Sequence, residues 1–484
     1  MILTFIFLLQ IFTFTLLFLI PAINKNLIQF VGFSSSCIVL ILSCILLVLF
    51  NSDLYYFQHI VTYELDSTLL NLSFSFGLDG ISIYFFVLSS FLIFLCTAFV
   101  WKSRLLKEYY ISLNLISFLL LIIFSCLDLL AFYVFFEAIL IPMYLLIGLW
   151  GSRERKIRAV YLFFFYTLVG SLLMLIGILY IYSKFGTFNL ELLFAYSLTF
   201  EEQCWLWLAF FFSFASKVPL FPFHIWLPEA HVEAPTIGSV LLAGIMLKLG
   251  IYGFIRFSLT LFPDGCLFFS PLIYWLCTTG IIYASLSAVR QTDLKRIVAY
   301  SSIAHMNLVV LGIFSFNIIG LEGAVLQSIS HGFVSGAMFL LIGMLYEKYH
   351  SRTLYYYGGL AQTMPVYSIL LFFFTIANIA VPGTSSFVGE FILLLGIYKT
   401  NMLCCIVGSV GIILCGIYSL WTYNRIVFGN LKTIHTSEFN DLNFREFSIL
   451  VPLLILVLFM GIYPSFFSYF IHLSIGNLFI ATFY

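Results

Sequence analysis

The sequence predicts an all-α polytopic membrane protein of about fourteen transmembrane helices. Three observations lead there. The 484 residues are 63% hydrophobic and only 9% charged, against about 25% charged in soluble domains. Apolar runs near the roughly 20 residues that span a bilayer recur along the whole chain. The loops between them alternate in charge, basic after odd-numbered spans and acidic after even ones. With 21 Lys+Arg balancing 21 Asp+Glu, a soluble enzyme, a nucleic-acid-binding protein and a disordered chain are excluded.

The first run, MILTFIFLLQIFTFTLLFLIPAINKN, is apolar from its second residue and has neither a basic n-region nor an amphipathic transit pattern. It reads as a retained membrane helix, spanning 2–22. That favours synthesis inside an organelle or a bacterium over import. The 58 Phe and 29 Tyr, as an AT-rich coding sequence gives, agree. The other expected spans are 27–50, 79–101, 109–127, 129–150, 158–182, 204–228, 235–262, 270–288, 295–316, 320–346, 365–398, 403–428 and 447–470. Trp101, Trp150 and Trp226 fall near span ends, where interfacial aromatics belong.

The charges test this count. Lys25 follows span 1, Lys102, Arg104 and Lys107 follow span 3, and Arg153, Arg155, Lys156 and Arg158 follow span 5. Arg290, Lys295 and Arg296 follow span 9, Lys348 and Arg352 follow span 11, and Arg425, Lys432 and Arg445 surround the loop after span 13. Sixteen of the 21 basic residues therefore lie on one side. Loops after even spans hold Asp53, Glu64, Asp66, Glu191, Glu201, Glu202 and Asp264, with only Lys184 and Lys399. One false or missing span would scramble this alternation. By the positive-inside rule the basic loops face the cytoplasm or matrix, and both termini face the opposite side.

Four charges fall well inside spans: Glu137, Lys217, Lys248 and Glu390. A lone charge at the bilayer centre costs about 2.5–3.5 kcal/mol on insertion scales. Two readings fit, ion pairs that glue helices together or a proton or cation path through the bundle interior, and the residue types favour the path. Burial disfavours an ammonium and a nearby carboxylate favours it, so a small movement between Lys217 and Glu137 could switch the lysine between taking up and releasing a proton. His305 and His331 lie near mid-span among Ser, Thr and Asn and read as relays or as packing residues. His224, seven residues after Lys217, reads as an exit relay or an interfacial residue. Asp79 and Asp128 sit at span ends and read as caps or anchors, and Arg256, near the end of span 8, reads as a snorkelling side chain.

Span 7 contains Pro219 and Pro222 directly after Lys217, and span 12 contains Pro382-Gly383 followed by Thr384, Ser385 and Ser386. Proline removes a backbone donor, and such breaks survive at membrane depth only when buried in protein or facing water. Helices 7 and 12 are thus expected to be discontinuous. They run in opposite directions, five spans apart, as two inverted five-helix repeats would require. The expected division is N-terminal helices 1–3 in 1–108, a first repeat in 109–262, a second in 263–430, and helix 14 in 431–484. None of the ten cysteines forms a C-x-x-C pair, so spacing suggests neither an iron–sulfur nor a zinc site and leaves packing thiols. No nucleotide-binding glycine pattern is present.

FYVFFEAILIPMYLLIGLWGSRERKIRA at 132–159 and FASKVPLFPFHIWLPEAHVEAPTIGSVLLAGIMLKLGIYG at 214–253 resemble the antiporter-like membrane subunits of respiratory complex I. FGLDGIS at 76–82, DLKRIVAYSSIAHMN at 293–307 and VPGTSSFVGEF at 381–391 fit the same family, which also includes cation/proton antiporter subunits. The resemblance covers most of the chain and implies fourteen helices with two inverted repeats. It implies that Glu137 matches the span-5 glutamate that partners the lysine at Lys217. It likewise implies that Lys248 matches the central lysine of span 8. Glu390 matches the acidic residue of span 12, placed toward the next subunit or an exit channel, where neighbouring antiporter-like subunits usually have lysine. His305 and His331 match polar positions between these. No residue is implied to hold a metal or cofactor; NADH, flavin, iron–sulfur clusters and ubiquinone are expected in partner subunits. The implied partners are other membrane-arm subunits, neighbouring antiporter-like chains, accessory subunits and lipids, with no nucleic acid. The implied place is the mitochondrial inner membrane, with the chain organelle-encoded. Nothing after residue 470 is expected to form a long lateral helix.

Overall fold

In a bilayer core no water satisfies the backbone, so each crossing segment must close its hydrogen bonds within itself. The computed structural model shows this as a run of helices. It describes every residue except 55, 66–71, 102, 433–439 and 484; Asp66 and Lys102, counted above, lie outside the described residues. Among these, twelve helices are long and apolar enough to cross a membrane. In chain order the elements begin with α1 (Ile2–Leu19), α2 (Lys25–Leu49), strands β1 (Gln58–Leu65) and β2 (Leu72–Leu78), α3 (Ser82–Phe99), α4 (Leu106–Ser125) and α5 (Leu129–Trp150). Then follow α6 (Lys156–Phe185), α7 (Phe200–Lys217), α8 (Trp226–Glu233), α9 (Thr236–Leu261), α10 (Pro263–Arg290), α11 (Leu294–Ile313) and α12 (Ile318–Tyr349). The chain closes with α13 (Pro365–Ile379), α14 (Ser385–Thr400), α15 (Met402–Val427), α16 (Phe444–Ile462) and α17 (Ser465–Phe483). The two stretches expected to be discontinuous, 204–228 and 365–398, each form two helices, α7 with α8 and α13 with α14.

The chain divides into two compact units. One comprises residues 1–217, 248–269 and 469–484. Its helices are joined by small polar pairs: Ser36 with Thr97 at 2.8 Å, Ser43 with Ser90 at 2.7 Å, and Gln10 Nε2 donating to Ser117 Oγ at 3.0 Å. Within a membrane such bonds add about 0.6 kcal/mol each, because the separated helices also find partners. Asp128 caps α5, accepting from Ala131 N–H at 2.8 Å, as its place at a span end suggests. β1 and β2 form an antiparallel pair, with Thr62 opposite Ser75 and Tyr63 opposite Phe74. This hairpin lies in a stretch expected only to be a loop.

Three expectations need correction. Arg256 does not snorkel: it is 4% exposed and pairs with Asp79. Asp79 is both a cap, accepting from Ser82 N–H at 2.8 Å, and the counter-charge for that guanidinium. Asp79→Ala would leave a buried cation unpaired, a loss of about 3–5 kcal/mol. It is expected to lower the thermal midpoint of the purified assembly, while Asp79→Ala with Arg256→Met recovers most of the loss; no recovery in the double variant would refute the pairing. Trp226 is not interfacial but 1% exposed, at the start of α8 where span 7 is broken. The C-terminal stretch forms two helices rather than one. Tyr463 and Pro464 interrupt the run, and α17 continues past residue 470 to Phe483.

The second unit comprises residues 218–247 and 270–468. Its centre is α12, which is almost wholly buried between Gly320 and Leu345. Small residues along α12 and α14 allow close approach, and Ser330 Oγ contacts Ser385 at 2.7 Å and Ser386 at 2.9 Å.

Candidate functional site

In the first unit, the site is built by prolines. Pro142 has no N–H to give the carbonyl of Ala138, and α5 is interrupted at Ile139. Glu137 stands on the turn before that break. The interruption went unforeseen, although Pro142 signals it. Pro219 similarly follows the last residue of α7, Lys217, where a cation complements the helix dipole. Lys217 is 1% exposed, and its Nζ lies 4.4 Å from the centre of the Phe136 ring, a cation–π distance. The adjacent Glu137 carboxylate is within electrostatic reach of that ammonium. Lys217 Nζ makes no hydrogen bond, and Glu137 Oε1 is likewise buried without one. Glu137 as a whole is half-buried in the isolated chain. The two side chains thus interact electrostatically without closing an ion pair.

Lys248 is fully buried in the α-helical stretch Leu247–Gly253 of α9. π-Helical turns flank it on both sides, Leu242–Met246 and Phe254–Ser258. Such turns are rare and concentrate at functional positions.

The second unit gathers Glu390, His305 and His331. Glu390 is 2% exposed, and its Oε1 lies 2.8 Å from His305 Nδ1. Gln327 Nε2 donates to the same oxygen at 2.9 Å, leaving Oε2 buried without a hydrogen bond. The His305 and His331 rings are 5.9 Å apart between centres. On its other side, His305 Nε2 meets Cys415 Sγ at 3.8 Å, and the Tyr418 hydroxyl donates to that sulfur at 3.0 Å. The break before α14 lies close by in sequence. Ala380 and Gly383 both take positive φ there, 64° and 94°, a conformation that glycine adopts without the cost of a Cβ.

His224 is not part of either group of contacts; it packs against the rings of Phe221 and Tyr283. Sequence reading missed Gln327, which supports Glu390, and Cys415, taken only as a packing thiol. It also counted Lys295 merely as a loop charge. Lys295 is 1% exposed and donates to the Ala234 carbonyl at 2.8 Å, capping the end of α8.

The described residues contain no group of three or more His, Cys, Asp or Glu placed to hold a metal ion. The arrangement offers buried proton donors and acceptors next to backbone breaks whose freed polar groups can support them.

Residues 126–415 match the family described as NADH:quinone oxidoreductase/Mrp antiporter, transmembrane. The chain is 50% identical over 465 residues to NADH-ubiquinone oxidoreductase chain 4 of Chondrus crispus, covering 96% of this chain and 94% of that one. It is 49% identical over 470 residues to the protein of the same description from Arabidopsis thaliana, with coverage of 96% and 94%. Among solved structures, a chain of respiratory complex I from Thermus thermophilus with bound NADH superposes with a TM-score of 0.89 at 31% identity, each chain covered completely.

Proposed function

The chain belongs to the NADH:quinone oxidoreductase/Mrp antiporter transmembrane family, and on that premise we propose that it is a proton-translocating membrane-arm subunit of NADH:ubiquinone oxidoreductase. The observation that supports a proton path most directly is that each discontinuous stretch bears a buried ionisable group. Lys217 ends α7, and Glu390 lies in the second turn of α14, against His305.

Glu137, Lys217, Lys248, His305, His331 and Glu390 form the path in this reading, with His224 at one end. Glu137 stabilises a proton on Lys217, and a change in their separation releases it. Glu390 does the same for His305. Residues 109–262 and 263–430 act as two inverted halves, each with one discontinuous helix. NADH oxidation and ubiquinone reduction, with their flavin and iron–sulfur groups, belong to partner subunits, and coupling reaches this chain as an electrostatic or conformational change. Its neighbours are other membrane-arm subunits, accessory chains and lipid, in the mitochondrial inner membrane, and the gene is carried by the organelle.

Isolation of the native assembly tests the first part. Co-purifying chains with flavin and iron–sulfur clusters support it. Their absence, with sodium-dependent proton exchange in vesicles, would favour the antiporter branch of the family. Glu137→Gln tests the second: proton uptake per NADH should fall, and unchanged pumping would remove Glu137 from the path.

A further inference from the structure

A cavity of about 30 Å³ lies within the second unit, above the roughly 10–15 Å³ that a single water needs. Its walls come from four helices, one of which, α13, lines it along most of its length from Tyr367 to Asn378. α11 contributes its first two turns, from Leu294 to Ser301, and α12 contributes Met338 and Ile342 from its C-terminal half. α15 contributes a stripe from Tyr418 through Thr422 to Ile426. Leu294, Tyr367 and Ile426 lie at the helix ends joined by the Arg- and Lys-bearing loops, so one end of the cavity is on the basic side.

Its inner part carries the polar groups Ser301, Thr375, Asn378 and Tyr418. Tyr418 then donates to Cys415 Sγ, Cys415 lies against His305 Nε2, and His305 Nδ1 faces Glu390. Asn378 Nδ2 and its carbonyl hold the same sulfur at 3.6 and 3.4 Å. A thiol serving only as packing would not need this set of partners.

We propose that this cavity is an access route by which protons from the basic side reach His305 and Glu390, with Tyr418 and Cys415 closing its inner end. Water in the cavity gives a proton to the Tyr418 oxygen as Tyr418 passes its own to the Cys415 sulfur. The thiol passes its own to His305 Nε2. Each group takes one proton and hands on one, so no charge stays on the phenol or the thiol. The inference rests on the proton-path reading for what lies beyond His305, but access to Cys415 can be measured alone.

Infrared spectroscopy of the intact assembly transferred to D2O provides that measurement. The S–H band lost in Cys415→Ala identifies the thiol. It is expected to convert to S–D much faster than the bands of Cys96 and Cys126, which are fully buried. Thr422→Leu, which fills the basic-side end, is expected to slow that conversion about ten-fold, equivalent to ~1.4 kcal/mol on the opening step. Ser301→Leu fills the cavity from α11 if the first variant does not assemble. Exchange at Cys415 no faster than at Cys96, or undiminished in the filled variants, would overturn the proposal. Fast exchange together with normal pumping in Glu390→Gln would leave the access route standing and remove the path beyond it.

Discussion

Glu390→Gln is expected to abolish most of the redox-driven proton translocation of the reconstituted assembly, while the chain still assembles. The amide matches the carboxylate in shape and can still accept from Gln327, so packing in the second unit changes little. What disappears is the negative charge 2.8 Å from His305. Removing one partner of a buried pair costs about 3–5 kcal/mol when the other stays charged. That is on the order of a hundred-fold or more in the population of the proton-bearing state. Proteoliposomes carrying a pH-sensitive dye, with NADH oxidation followed in parallel, would separate pumping from electron transfer. A variant that acidifies the lumen at the normal ratio to NADH consumed would eliminate Glu390 from the path. Glu390→Asp keeps the charge but shortens its reach, so it should recover part of the loss.

The second large effect is expected at Lys217, where two substitutions divide structure from proton transfer. Lys217→Ala removes the only buried cation at the end of α7 among the described residues, together with its contact on the Phe136 ring. Arg preserves a positive charge beside Glu137 but does not release a proton under any physiological condition. If the lysine serves only to neutralise Glu137, Lys217→Arg pumps normally and Lys217→Ala does not. If the lysine carries the proton, both variants lose translocation, on the order of ten-fold or more, and both still assemble. We expect the latter. The measurement is again acidification per NADH, with native gel electrophoresis to confirm assembly. Normal pumping by Lys217→Arg would sink the carrier role.

Much of the architecture was legible because a membrane imposes a simple length rule. Runs such as 403–428 give helices such as Met402–Val427 with ends shifted by one or two residues. Breaks after Lys217 and around Pro382-Gly383 followed from backbone chemistry alone. Pro142 obeys the same chemistry, yet it lies within a run apolar enough to read as one helix, and its interruption passed unnoticed. The hairpin had no such rule, because nothing in the bilayer argument bears on a loop between two spans.

The candidate site was legible residue by residue but not contact by contact. A buried Glu or Lys is conspicuous in an apolar run because its cost is large. The meeting of Glu390 with His305, 85 positions away, has no signature in spacing. Gln327 and Cys415 escaped because amides and thiols are inexpensive to bury and common in membrane helices. Lys295 escaped for the opposite reason: it sits among loop charges that already had an explanation as orientation signals.

The last helix, α17, has a consequence for biosynthesis. Residues 469–484 belong to the same unit as the N-terminal helices, and Ser474 accepts from Gly80 N–H at 3.0 Å while the Tyr469 hydroxyl donates to Asp53 at 2.8 Å. The N-terminal helices therefore wait for α17. A ribosome must deliver the chain as far as this helix into the membrane before the first unit can close, and a nonsense codon just ahead of residue 469 would damage the part of the protein made first.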